Sequence, residues 1–111
     1  MIKLEEFEQW LSEQLAKHKE DITESSIRHG TQRLENLDAP LRLGKPGMDV
    51  SITTTGGLCG IMLFWISGEA DVYVLGLQGE FVYPDHYITV SSAQEFDTAF
   101  REFFDILFSG N

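Results

Sequence analysis

The fold is decided by residues 49–83, which read DVSITTTGGLCGIMLFWISGEADVYVLGLQGEFVY. Apolar or alternating runs in this segment are separated by three glycine-containing dipeptides, Gly56-Gly57, Ser67-Gly68 and Gln78-Gly79. Each dipeptide is typical of a two-residue hairpin turn, because glycine readily takes the positive φ that such turns require. The segment therefore predicts an antiparallel meander of four strands.

Two-residue turns fix the register of the predicted strands, and with it the side of the sheet on which each residue lies. They place Val50 opposite Leu63, and Leu63 opposite Val72. One face is then apolar and is predicted to be the core: Val50, Ile52, Ile61, Leu63, Trp65, Val72 and Val74. The other face is predicted to be an apolar row flanked by acids and hydroxyls: Asp49, Ser51, Thr53, Met62, Phe64, Ile66, Glu69, Asp71 and Tyr73.

Two amphipathic helices flank the predicted sheet. Residues 2–20 repeat Leu4, Phe7, Trp10 or Leu11, and Leu15 at helical spacing. A second helix is predicted after Ser92, the expected N-cap, with a stripe that includes Phe96, Phe100 and Phe103. We expect both helices to cover the core face.

The remaining segments complete the predicted fold. Residues 21–48 predict at most one edge strand, Glu24–Arg33, followed by a loop, and Pro84 predicts a bulge or an edge position in the last strand. The expected fold class is α+β in two layers: an N-terminal helix, a four- to five-stranded antiparallel meander and a C-terminal helix. We expect residues 1–111 to form a single domain, since this length suits one core.

The charge distribution is uneven. The chain carries 18 acidic and 8 basic residues, a net charge of −10, and residues 47–111 hold nine acids against one base, Arg101. A field of this sign repels nucleic acid and anionic membranes and favours a basic protein surface as partner. The acids could instead serve only to keep a small domain soluble.

The sequence carries no strong signal of export or of covalent chemistry. Residues 1–6 lack the apolar stretch of a signal peptide, and the longest apolar run, residues 60–66, is too short to cross a bilayer. We therefore expect a cytoplasmic location. The single cysteine, Cys59, has no partner for an internal disulfide or a metal site, and we expect it to be a buried small hydrophobe.

Candidate catalytic groups are few. His86 follows Asp85, but neighbours in a strand point to opposite faces, which weakens an acid/base pair. Glu69 and Asp71 share a face and could act as paired carboxylates or, with Asp49, hold a hard cation, but the carbonyl-rich loop of a calcium site is missing. We expect no enzyme activity, no cofactor and no metal, and interpret these acids as solvated or partner-facing.

The acid-flanked row is the predicted binding surface. Met62, Phe64 and Tyr73 would be its apolar anchors, and the acids would orient a basic partner. Residues 21–47 could instead cover this row and leave it without a binding role. The predicted partner-binding residues are Asp49, Met62, Phe64, Glu69, Asp71, Tyr73, Glu80, Asp85 and His86.

Residues 48–108 resemble the TriTu-type immunity proteins of bacteria. The shared pattern is a strand that ends in Trp-x-Ser-Gly-Glu-x-Asp, then a Gly-Glu turn, a His-Tyr pair and a C-terminal helix rich in Phe and Leu. The matching residues are Trp65, Ser67, Gly68, Glu69, Asp71, Gly79, Glu80, His86, Tyr87, Phe100 and Phe103.

The resemblance implies an antidote role. Proteins of this family are encoded beside a toxin delivered by a type VI secretion system, an ADP-ribosyltransferase domain that inactivates elongation factor Tu, and they protect the producing cell by binding that toxin. The expected partner is thus a cognate toxin domain with a basic or NAD-binding cleft, held in a 1:1 complex. Two other hypotheses stay open: a cytoplasmic acidic adaptor for a basic protein, and a small-ligand or metal enzyme that uses Glu69, Asp71 and His86.

Overall fold

The computed structural model describes residues 2–31 and 46–109, and the loop predicted after the first strand lies outside them. Helix α1 comes first, followed by a short 3-10 turn and five strands, and the chain then forms a second 3-10 turn and two short helices. The bounds are α1 Leu4–Lys17, β1 Ile22–Thr31, β2 Pro46–Thr54, β3 Cys59–Trp65, β4 Glu69–Leu75, β5 Phe81–Thr89, α2 Phe96–Ala99 and α3 Arg101–Leu107.

The five strands form one antiparallel sheet in the order β1-β2-β3-β4-β5. The predicted α+β class, the antiparallel meander and the edge strand β1 are confirmed. Within the described residues no helix is both long and apolar enough to cross a membrane.

The three hairpin loops of the meander are one residue longer than the sequence predicts. In the first, the Thr54 N–H donates to the Leu58 carbonyl at 2.9 Å, and the Gly57 N–H donates back to the Thr54 carbonyl at 3.0 Å. Three residues therefore separate the paired ends, and the last of them, Gly57, has a φ of 89°. Gly68 and Gly79 close the other two loops with φ values of 88° and 81°. This is the three-residue loop that ends in a left-handed residue.

The longer loops turn β3 over relative to the prediction. Val50 lies opposite Met62, and Met62 opposite Val72, where Leu63 was expected in both pairs. Because side chains alternate between faces, this shift of one residue exchanges the two faces of the strand. Met62 and Phe64 are buried in the core beneath the helices, so their predicted place on the open face is wrong. Ile61, Leu63 and Trp65 lie on the opposite side of β3.

The core lies between the sheet and the helices. Phe7 of α1 stacks on Phe64 of β3 with ring centroids 4.0 Å apart and an angle of 1° between the rings. Phe96 and Phe100 meet Phe7 edge-on at 5.5 and 5.9 Å, which brings the C-terminal helices onto the same face. The prediction that both helices cover the Val50 and Val72 face is confirmed. All of these rings are fully buried.

Gly60 sets how closely the last helix approaches the sheet. It occupies a core-facing position of β3, between Ile52 and Val74 of the neighbouring strands. A Cβ atom there would lie 2.8 Å from Leu107 Cδ2 and 2.9 Å from Phe103 Cζ. The missing side chain thus lets α3 pack directly against the backbone of the strand.

The edge strand and the C-terminal helix depart from regularity at specific residues. The β4–β5 register shifts between Tyr83 and His86, which confirms the irregularity predicted at Pro84 on an edge strand. The C-terminal helix begins with a 3-10 turn and is divided at Phe100 into α2 and α3. Ser92 precedes this turn but its side chain makes no capping bond; the Glu95 carboxylate instead accepts the Ser91 N–H at 3.1 Å.

Replacing Phe64 with alanine tests the observed facing of β3. Phe64→Ala should lower the free energy of unfolding by about 3–5 kcal/mol, because it removes a fully buried ring from an aromatic stack. The matched control is Phe81→Ala on the exposed edge strand, where the loss should be about 0.5 kcal/mol. Urea unfolding measures both. Equal losses in the two variants would contradict the facing described here.

Candidate functional site

The side of the sheet on which residues 2–31 and 46–109 place no helix, here called the helix-free face, brings four of the predicted site residues together. Asp49 lies on β2, and Glu69, Asp71 and Tyr73 alternate along β4. The Asp49 carboxylate is within 3.5 Å of the Arg28 guanidinium on β1, which balances its charge. Met62 and Phe64 do not join this group. Their neighbours Ile61, Leu63 and Trp65 lie on this face, where Leu63 and Trp65 are buried.

Two acids on this face are buried, contrary to the prediction that they are open to solvent. Glu69 is 6% exposed and Asp71 is 8% exposed. The Ser67 hydroxyl donates to Glu69 Oε1 at 2.6 Å, and the Tyr87 hydroxyl donates to Glu69 Oε2 at 2.9 Å. A carboxylate held this way joins the β3–β4 loop to β5, and stabilises the fold because buried polar groups need partners. Glu69 therefore has a structural role in this sheet.

Removing the Glu69 carboxylate should destabilise the protein. In Glu69→Ala, the hydroxyls of Ser67 and Tyr87 lose their acceptor, and we expect a loss of about 1–3 kcal/mol in the free energy of unfolding. Asp85→Ala is the control, since this carboxylate lies on the neighbouring strand and is exposed. Chemical denaturation should show almost no loss for Asp85→Ala. A Glu69→Ala protein as stable as this control would refute the structural role.

The exposed apolar side chains concentrate at the end of the sheet where β4 turns into β5. Leu77 is 83% exposed and Phe81 60%, and Val82 is also exposed; the exposed Tyr87 lies farther along β5, opposite Asp71. The Tyr73 ring meets the edge of the Phe81 ring with centroids 5.9 Å apart. We define the β4–β5 surface as Tyr73, Leu77, Glu80, Phe81 and Val82. It combines aromatic and aliphatic groups with an exposed carboxylate, the chemistry of a protein-binding surface.

Sequence reasoning named Tyr73 and Glu80 as candidate partner-binding residues but did not name Leu77, Phe81 and Val82, which the structure places beside them in the β4–β5 surface. A signal was present, because Leu77 is an apolar residue inside a turn, where polar residues are usual. Phe81 and Val82 follow that turn directly at the start of the edge strand. Apolar residues on both sides of a turn glycine in an edge hairpin could have indicated the surface.

The remaining predicted site residues, Asp85 and His86, lie at the bulge of β5. Asp85 is exposed. The His86 ring stacks on Tyr83 with centroids 4.0 Å apart, and its Nδ1 atom contacts the Pro84 carbonyl. His86 is thus engaged by its own strand, on the side of the sheet that faces the helices.

Tyr83 ties the edge strand to the helix layer. It is buried, and its hydroxyl donates to Glu102 Oε1 of α3 at 2.9 Å. Burial raises the pKa of Tyr83 to about 12, and the hydrogen bond to Glu102 and the charge of that carboxylate add to the effect. All three causes disfavour a phenolate at this position.

The raised pKa of Tyr83 predicts a loss of stability in alkali. The folded state holds the Tyr83 proton more tightly than the unfolded chain, so this contribution is complete below about pH 10 and is lost as the pH rises toward about 12. The free energy of unfolding, measured by urea titration across this range, should fall more steeply for the wild type than for Tyr83→Phe. Parallel curves for the two proteins would contradict the assignment.

Groups suited to catalysis or metal binding are sparse in the part of the chain that the structure describes. Across residues 2–31 and 46–109 no cluster of three or more His, Cys, Asp or Glu side chains could hold a metal ion. Cys59 was expected to be buried but is only partly so, and its Sγ atom lies 3.9 Å from the Ser51 hydroxyl. The described residues form a five-stranded sheet, one end of which exposes apolar side chains and the Glu80 carboxylate.

Comparison of the chain with protein families, with curated proteins and with solved structures finds no match. The surface itself therefore carries the functional argument.

Proposed function

We propose that this chain is an immunity protein that binds a cognate antibacterial ADP-ribosyltransferase toxin and neutralises it by occluding its active site. The observation that carries the proposal is the β4–β5 surface, where exposed apolar groups and Glu80 lie together in a strongly acidic part of the chain. The resemblance of residues 48–108 to TriTu-type immunity proteins supplies the class of partner.

The charge pattern supports a basic partner. No Lys or Arg occurs between Lys45 and Arg101, so the strands β2 to β5 carry acidic residues but no Lys or Arg. Asp49, Glu69 and Asp71 are at least partly withdrawn from solvent, whereas Glu80 and Asp85 are exposed. The exposed acids steer a positively charged surface toward this end of the sheet and raise the rate of association.

Occlusion requires affinity and shape and no chemistry from the inhibitor. An ADP-ribosyltransferase binds the pyrophosphate of NAD, so its cleft is expected to be electropositive. An acidic protein that occupies the cleft competes with the dinucleotide for the same positively charged groups. The apolar groups of the β4–β5 surface would supply the desolvated centre that a tight 1:1 complex needs.

The proposal predicts an ADP-ribosyltransferase gene beside the gene for this protein, and it is tested by reconstitution with the product of that neighbouring gene. Co-expression should restore growth of cells that produce the toxin, and the purified protein should block transfer of ADP-ribose to elongation factor Tu. A toxin with an inactivated active site provides the control for growth. Continued transfer of ADP-ribose in the presence of excess protein would refute the proposal.

The electrostatic part has its own readout. Raising the ionic strength from about 0.1 M to about 1 M shortens the screening length from about 10 Å to about 3 Å. The association rate with the toxin, measured by stopped flow, should fall steeply over this range while the dissociation rate changes little. An association rate that does not depend on salt would show that charge does not contribute to recognition of the toxin. Capture of a resident cellular protein in place of the toxin would favour an adaptor role instead.

A further inference from the structure

We infer that the β4–β5 loop, residues 76–80, is the element that enters the partner, with Leu77 in an apolar pocket and Glu80 against a cation beside that pocket. The inference rests on the proposed function and specifies the part of the surface responsible for it. The partner surface is a protein cleft in which an apolar recess lies next to a Lys or Arg side chain.

The exposure of Leu77 is the first observation. Leu77 is 83% exposed, so most of its apolar surface lies in solvent, and Phe81 is 60% exposed only four residues later. Single exposed apolar side chains are common on protein surfaces, but here two large ones lie in and beside one short loop, and the Phe81 ring extends the surface to Tyr73. Burial of such groups against a partner is a main source of binding energy.

The loop is held in one conformation by its own hydrogen bonds. The Gly76 N–H donates to the Glu80 carbonyl at 2.8 Å, and the Gly79 N–H donates to the Gly76 carbonyl at 3.1 Å. The Glu80 carboxylate accepts the Gln78 N–H at 3.0 Å. A loop ordered before binding loses little conformational entropy in the complex, which is the property of an inserted inhibitory element.

The neighbouring hairpin fixes the direction of Leu77. A Cβ atom on Gly57 would lie 2.6 Å from Leu77 Cδ2, so the leucine packs along the bare backbone of the β2–β3 loop. Gly57 also has a φ of 89°, a conformation that a residue with a side chain rarely adopts. The two loops thus lie side by side at one end of the sheet, and Leu77 projects into solvent beside the β2–β3 loop.

The negative charge of the loop and of the whole chain favours a basic partner over a second copy of this chain. Two copies joined through this loop would bring their Glu80 carboxylates together, and each copy carries a net charge of −10. Such a contact is opposed by repulsion. A cleft with a Lys or Arg beside an apolar recess complements both groups.

Four point variants test the inference against the toxin domain that the proposed function predicts. Leu77→Ser and Glu80→Lys should each weaken binding by about 30-fold or more, the effect of losing a central contact. The controls are Glu24→Lys, an exposed acid on the opposite edge strand that undergoes the same change of charge, and Gln94→Ser, an exposed residue in the turn before α2. Binding by both controls should stay within about threefold of the wild type. Calorimetry measures the affinities, and thermal unfolding shows that each variant is folded.

The outcomes separate the inference from the proposed function. If the wild type binds the toxin and Leu77→Ser and Glu80→Lys bind it equally well, the loop is not the inserted element, and the immunity role still stands. A wild type that does not bind the toxin overturns both. Analytical ultracentrifugation without toxin tests for dimers of this chain. Dimers that form in the wild type but not in Leu77→Ser would show that the loop binds a second copy and not a basic cleft.

Discussion

Phe7 of α1 stacks face to face on Phe64 of β3, and the arrangement of the two layers depends on this contact. It fixes which side of the central strand faces the helices, because Phe64 can meet α1 only if the even-numbered residues of β3 point toward it. Met62 follows Phe64 into the core, and Phe96 and Phe100 close around Phe7 from the other helices. The stack therefore joins the two ends of the chain to the middle strand of the sheet.

Much of this architecture could be predicted from the sequence, and the error in β3 has a specific physical origin. Glycine at positions 57, 68 and 79 correctly indicated turns, but it does not distinguish a two-residue loop from a three-residue loop, since both place a glycine at positive φ. The same error was made on both sides of β3. The two shifts cancel between β2 and β4, so Val50 and Val72 were placed correctly while Met62 and Leu63 were exchanged. An almost wholly apolar strand such as β3 offers no alternation that would reveal the mistake.

The candidate site was predicted less well than the fold because exposure depends on contacts between distant parts of the chain. Glu69 was interpreted as a partner-facing acid, yet its carboxylate accepts hydroxyls from Ser67 and Tyr87 and is buried. Nothing in the local sequence shows that Tyr87, 18 residues later, reaches this oxygen. Exposed apolar residues raise the reverse difficulty. Leu77 and Phe81 resemble core residues in the sequence, and only the sheet shows that most of their surface lies in solvent.

The distribution of apolar groups explains how one small sheet could serve both stability and recognition. The helices bury the aromatic rings of one face, while the hairpin end at Leu77 and Phe81 leaves large side chains in solvent on a backbone that the same sheet holds rigid. Because the loop is closed by its own hydrogen bonds, its side chains can change without loss of the register that the glycines set. Changes at Leu77, Phe81 and Val82 could therefore alter the exposed surface while the Phe7–Phe64 stack stays untouched. Loop conformation and exposed surface depend on different groups, because the hydrogen bonds that close the loop are between backbone atoms, apart from the one that the Glu80 carboxylate accepts.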